Sequence, residues 1–179
     1  MYLVFNLQER QQYMRCLQHT LNNILQQRYF TTSMLNDIAD ELAKEGSPNN
    51  SLFNPYRTLF LGNWDVNVLG VCIKHLEKDM KWLDHRDVKF AQVDLNNCFA
   101  LIANVKSSGI LGHITGGRHW FALKKFGESW YNLDSNLPMP EKVQSLEPGN
   151  MRVPGSVEAL IAYLQELMRT SDATLIIVI

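Results

Sequence analysis

The chain has 179 residues, with 17 Lys+Arg against 18 Asp+Glu, a formal net charge of -1, 46% hydrophobic residues and 10% aromatic. A chain of that length buries about 70% of the surface its unfolded form exposes, so one domain over residues 1–179 is expected, holding its core without disulfides or a structural metal. The balanced charge and lack of a basic tract exclude the footprint of a nucleic-acid binder, and the ordinary apolar content excludes disorder. Met1 to Phe5 is apolar but gives way to Asn6, Gln8, Glu9 and Arg10, too soon for a signal-peptide core or a membrane span. No membrane anchor is therefore expected. Cys16, Cys72 and Cys98 are odd in number and widely spaced, which suits neither a disulfide framework nor a zinc site. A reducing compartment, cytosol or nucleus, follows as the expectation.

Taken in chain order, Leu17, Leu21, Ile24 and Leu25 recur at helical spacing and predict a helix over 16–27 with one apolar stripe. Thr31, Thr32 and Ser33 offer an N-cap for a second helix with Leu35, Ile38, Ala39 and Leu42 inward, stopped by Gly46 and Pro48. From Gly46 to Trp64 turn residues mix with aromatic ones, as in a lid or a loosely packed hairpin. A third helix is predicted from Val66 to about Glu77, with Val68, Leu69, Cys72, Ile73 and Leu76 on its inner side. The period then changes. FALIANV at 99–105, HWFALKKF at 119–126, SWYNLDS at 129–135 and ATLIIVI at 173–179 are rich in aromatic or β-branched residues and read as strands, with a late helix over 156–168. Helices first, then an antiparallel sheet with one late helix, make an α+β arrangement.

A nucleophilic cysteine needs its thiol ionised near neutral pH, and a helix N-terminus with a nearby imidazolium is the usual means. Cys16 stands where its helix begins. Gln11 and Gln12 lie just upstream, where a side-chain amide can fold back and donate to an oxyanion together with the Cys16 N–H. The base must come from elsewhere. A two-residue turn at Phe126-Gly127 would make His119 and Asp134 cross-strand partners, the carboxylate holding one ring nitrogen and leaving the other for a thiol. His19, three residues after Cys16, is a helical neighbour poorly placed to face a substrate across a cleft, and reads as a hydrogen-bonded packing residue. His75, His85, His113 and Cys72 read as structural, and Cys98 as a strand-edge residue. Cys16 and His19 share a CxxH spacing, but no second ligand pair follows, so neither a metal nor another cofactor is expected.

The blocks CLQHTLNNILQ at 16–26, the upstream Gln11, GNWDVNV at 62–68, RHWFAL at 118–123 and YNLDS at 131–135 resemble the Josephin family of papain-like cysteine deubiquitinases. The likeness covers nearly the whole chain in order, and the variant with Asp at the third triad position and little beyond the catalytic domain is the nearer one. It implies a papain-like fold in which Cys16 is the nucleophile, His119 the general base and acid, Asp134 the residue orienting that imidazole, and Gln11 an oxyanion-hole donor. The partner it implies is ubiquitin or polyubiquitin conjugates, met by a monomer whose docking surface includes Trp64, Val66, Asn67 and Trp120, with Tyr29 and Phe30 on a second surface. A Trp that some relatives use for ubiquitin contact aligns with Leu76 here. Two other readings stay open: a ubiquitin-binding module with a weak or latent active site, and a papain-like hydrolase of another substrate.

Overall fold

The structure, a computed structural model, describes residues 5–46, 54–57, 63–83, 95, 97–107, 117–144 and 153–179. Three helices come first: α1 (Cys16–Leu25), α2 (Thr32–Gly46) and α3 (Val66–His75). Strands β1 (Met80–Leu83), β2 (Ala100–Lys106), β3 (Arg118–Phe126), β4 (Ser129–Asn132) and β5 (Glu141–Lys142) follow, then α4 (Val157–Ser171) and β6 (Thr174–Val178). The strands form one antiparallel sheet in the order β1-β6-β2-β3-β4-β5. This is the expected α+β arrangement, with two short edge strands, β1 and β5, that the sequence did not announce.

The helix ends follow their local chemistry. The Thr31 hydroxyl accepts from the Met34 N–H at the start of α2, and the Asp65 carboxylate accepts from the N–H groups of Asn67 and Val68 at the start of α3. Ser156 does the same for Ala159 in α4. Helix α1 is the exception: Arg15 precedes it and no side chain caps it. The N–H groups of its first turn, beginning with Cys16, therefore have no intrahelical acceptor.

Alternate residues of the central strands feed two separate cores. Ala100, Ile102, Trp120, Ala122, Ile176 and Val178 pack against α1, α2 and α3, while Leu101, Ala103, Phe121, Leu123, Leu175 and Ile177 pack against α4. With both faces covered, β2 and β6 read as nearly unbroken apolar runs instead of alternating ones. Trp64, immediately before the α3 cap, lies in the first core, 1% exposed, with its indole N–H donated to Asn36 Oδ1. Trp64→Ala is expected to cost about 3–5 kcal/mol of stability, the usual penalty for emptying a buried aromatic site, and urea denaturation measures it.

The hairpin carrying the site corrects one expectation. Its turn residues are Gly127 and Glu128, not Phe126-Gly127, because the positive φ of Gly127 (58°) belongs at the first central position of a type II′ turn. The ladder pairs Leu123 with Asn132 and Phe126 with Ser129, which moves every partner by two residues. Continued past the end of β4, that register sets Asn136 opposite His119 and Asp134 opposite Phe121. A shift of two preserves the face, so Asp134 meets His119 on the diagonal.

Much of the expected lid, at 47–53 and 58–62, lies outside the described residues, as do His85 and His113. The described part, residues 54–57, is tied to α2: Asn54 Nδ2 donates to the Ala39 carbonyl and to Asp40, and Arg57 pairs with Asp40 at 2.9 Å.

Candidate active site

Three elements bring the site together. Cys16 opens α1, His119 is the second residue of β3, and Asp134 follows β4 by two residues. Helix and strand are pinned next to the reacting groups: Thr20, one turn along from Cys16, donates its hydroxyl hydrogen to the Trp120 carbonyl at 3.0 Å. The start of β3 is tied down by Arg118, whose guanidinium donates to Asn104 Oδ1, to the Asn104 carbonyl and to the Asp172 carbonyl. Asp134 is set by its own turn, its N–H donating to Asn132 Oδ1 and its carboxylate accepting the Asn136 N–H. Such Asx-type bonds fix a carboxylate's direction without a regular element.

His119 Nε2 lies 2.7 Å from Asp134 Oδ1, and the Asn136 side-chain amide is 3.2 Å from the same nitrogen. The Cys16 thiol lies near enough to the imidazole to favour its charged form, and with Nε2 turned to Asp134 the nitrogen left for the thiol is Nδ1. Phe121 stacks on the imidazole with ring centroids 6.2 Å apart and an interplanar angle of 20°. Position, tilt and tautomer of the ring are thus all constrained. Cys16 and His119 are both buried, the cysteine 3% exposed.

Burial works against charge on His119, yet the hydrogen bonds to Asp134 and Cys16 and the negative charge of both outweigh it, raising the imidazole from 6.5 to about 9. An imidazolium persists in the folded site at neutral pH. If its proton goes to a leaving amine, kcat/KM is expected to decline on the alkaline side with a midpoint near pH 9, read from a pH profile of turnover; a midpoint near 6.5 would contradict it. The same shift makes stability depend on pH. The folded state holds this proton more tightly than the unfolded chain, so the contribution is complete below about 6.5 and is lost as pH rises through about 9.

The other cysteines differ. Burial pushes the Cys72 thiol up to about 12, so it is not a nucleophile at neutral pH. Cys98 is half-buried just before β2, its thiol donating to the Leu95 carbonyl at 3.4 Å.

Gln11 is held by the residue after Asp134: its N–H donates to the Ser135 carbonyl at 2.8 Å, and its Oε1 accepts the Ser135 hydroxyl at 3.3 Å. Its Nε2 donates to the Tyr13 carbonyl at 3.0 Å, which uses one of two amide hydrogens. His19 is the packing residue expected, with Nδ1 2.6 Å from Glu9 Oε2 and Nε2 accepting the Gln12 N–H at 3.2 Å. With both nitrogens engaged, the CxxH pair has no histidine lone pair left for a metal. Among the described residues no group of three metal-ligating side chains converges, and no helix is long and apolar enough to cross a membrane.

The residues expected to meet a partner divide. Trp64, Trp120 and Phe30 are core residues, against expectation: the indole N–H of Trp120 donates to the Trp64 carbonyl at 3.3 Å, and Phe30 is enclosed at the end of α1. Asn67 and Tyr29 are exposed and Val66 is half-buried. The Tyr29 hydroxyl lies 3.1 Å from Nε2 of the exposed His75. Sequence reasoning missed Glu9, Asn23, Ser135 and Asn136, whose roles arise only from contacts between distant segments. One signal was available for Asn136: its position two residues after Asp134, in the span of an Asx turn.

The family model described as Josephin matches residues 11–149, which include all four expected catalytic positions. The chain belongs to the Josephin family. Among curated Josephin relatives, human Josephin-2 is 39% identical over 137 residues, 74% of this chain and 70% of its own length. A Josephin-like protein of Drosophila melanogaster is 35% identical over 74% of this chain and 60% of its own length. Human Ataxin-3 is 28% identical over 75% of this chain but only 38% of itself. Membership of the Josephin family supports the hydrolase role that the sequence resemblance implies.

Proposed function

We propose that this chain is a cysteine deubiquitinase. The observation that carries the reading is the His119–Asp134 pair, with Cys16 beside it at the uncapped N-terminus of α1, in a chain of the Josephin family. In this reading the Cys16 thiolate attacks the carbonyl carbon of the isopeptide bond after the C-terminal glycine of ubiquitin. The carbonyl oxygen becomes an oxyanion, met by the Cys16 N–H and the second amide hydrogen of Gln11. As the tetrahedral centre collapses, the C–N bond breaks and the His119 imidazolium gives its proton to the departing lysine amine. The product is a thioester and a neutral imidazole. His119 then takes a proton from water, the hydroxide adds to the thioester carbonyl, and the Cys16 thiolate leaves, freeing the ubiquitin carboxyl and restoring the imidazolium. Asp134 stays ionised throughout and holds the ring. The catalyst is a monomer, set in the reducing cytosol or nucleus.

Of the docking residues, Val66, Asn67 and Tyr29 keep a place in the proposal because they present surface. A second reading, a ubiquitin-binding module with a latent site, draws on one observation, the 3% exposure of Cys16. Incubation with ubiquitin joined through its C-terminus to a lysine ε-amine separates the two. Release of free ubiquitin supports the enzyme; binding without release supports the module.

A further inference from the structure

The buried group that the reaction above does not use is Glu9–His19. Glu9 sits under the start of α1, its carboxylate accepting from Asn22 Nδ2 through both oxygens at 3.2 Å and pairing with Arg28 at 3.4 Å. The Glu9 N–H donates to Asn23 Oδ1 at 2.6 Å, and Asn23 Nδ2 donates to the Glu9 carbonyl and to the Leu133 carbonyl, one residue before Asp134. A carboxylate held by this many donors is a fixed acceptor, and His19 Nδ1 lies against it at 2.6 Å. The ring's other nitrogen accepts the Gln12 N–H, which is open to it only if Nε2 carries no hydrogen. The two contacts together call for the ring's hydrogen on Nδ1, facing Glu9.

Gln12 is followed by Tyr13, a non-glycine residue at φ 58°, in the left-handed region. Such a conformation persists only where the surroundings impose it. Here Gln12 is anchored on one side by His19, and on the other side the Tyr13 carbonyl takes one hydrogen of the Gln11 amide. Tyr13 itself is 75% exposed, its ring meeting the Arg15 guanidinium 5.0 Å from the centroid, so burial in a core does not hold the turn.

We infer that His19, fixed by Glu9, is a positioning residue that sets the Gln11–Tyr13 turn and through it the direction of the Gln11 oxyanion donor. His19 and Cys16 share one turn of α1, so the clamp and the nucleophile move as one piece. This rests on the reading of Cys16 as nucleophile and Gln11 as donor.

Two measurements test it. The first compares His19→Leu, which removes the acceptor, with His19→Gln, whose carboxamide can still accept from Gln12 and donate to Glu9. Turnover of a fluorogenic ubiquitin C-terminal amide is read beside alkylation of Cys16 by iodoacetamide, a displacement that forms no oxyanion. His19→Leu is expected to lower kcat about 10- to 100-fold with KM and the alkylation rate held, and His19→Gln to recover most of the loss. If kcat and alkylation fall together, or if His19→Leu turns over like the parent, the inference is overturned. The second measurement needs no turnover and no variant: nitrogen-15 NMR of histidine in the parent protein. A hydrogen on Nδ1 of His19, with Nε2 coupled to the Gln12 amide, supports the clamp, and a hydrogen on Nε2 overturns it. A parent protein that fails to cleave the ubiquitin amide overturns the deubiquitinase reading instead, and the NMR result then decides the clamp alone.

Discussion

Cys16→Ala is expected to lower hydrolysis of ubiquitin conjugates by at least about 10⁴-fold while the fold stays intact, because the thiol that opens α1 beside His119 is gone. Cys72 is buried on the inner face of α3 with its thiol raised to about 12, and Cys98 lies before β2 with Leu95 as its partner. Among the described residues no imidazole is bonded to Cys72. Alanine in place of Cys16 removes one sulfur from a buried site and leaves the Thr20–Trp120 tie in place, so α1 keeps its seat on the sheet. Circular dichroism and the denaturation midpoint are expected to match the parent closely, and ubiquitin affinity to be retained. Residual turnover above that level, with Cys16 absent, would remove the thioester from the mechanism.

The second large effect separates the base from its holder. His119→Ala removes both the proton acceptor and the proton donor and is expected to cost about 10⁴-fold or more in kcat. Asp134→Ala removes the acceptor at Nε2 and the acceptor of the Asn136 N–H, and the ring keeps the stacked Phe121 as a restraint. A loss of about 10²- to 10³-fold is expected, with the alkaline midpoint of the pH profile moving below 9 because the largest favourable contribution to the imidazolium is gone. Steady-state kinetics of the two variants decide the order. Should His19→Ala abolish turnover with the fold preserved while His119→Ala does not, His119 is not the base.

How much of this was legible in the sequence depends on which interactions are local. Helix α1 announced itself through Leu17, Leu21 and Ile24, all fully buried, and β6 through an unbroken apolar run, since both respond to burial on a fixed period. Strand β1 did not, because Met80, Lys81, Trp82 and Leu83 carry no strong strand pattern and Trp82 is exposed; the segment is a strand only because β6 pairs with it. That His119 and Asp134 meet was legible in the sequence, but the hairpin register that the sequence suggests for them is not the one the chain adopts. Placing Gly127 second in the turn gave a register two residues away from the actual one, and the pairing of His119 with Asp134 survived because a two-residue shift keeps the face. Trp64 illustrates the opposite failure. The family likeness puts it on a docking surface, whereas the packed chain buries it, with its indole N–H bonded to Asn36 of α2. Along the chain Glu9 is a polar interruption of an apolar stretch, and nothing in the sequence shows that it lies against His19, ten residues on.

The central claim is that Cys16 is a nucleophile served by His119 and open to the C-terminus of ubiquitin. Ubiquitin carrying an electrophile in place of its terminal carboxyl tests this in one step, with the adduct located by mass spectrometry and Cys16→Ala run alongside. A single covalent product at Cys16, absent from the alanine variant, is the expected result. No adduct, while a small thiol reagent still labels Cys16, would contradict the claim and leave a reactive thiol that ubiquitin does not reach.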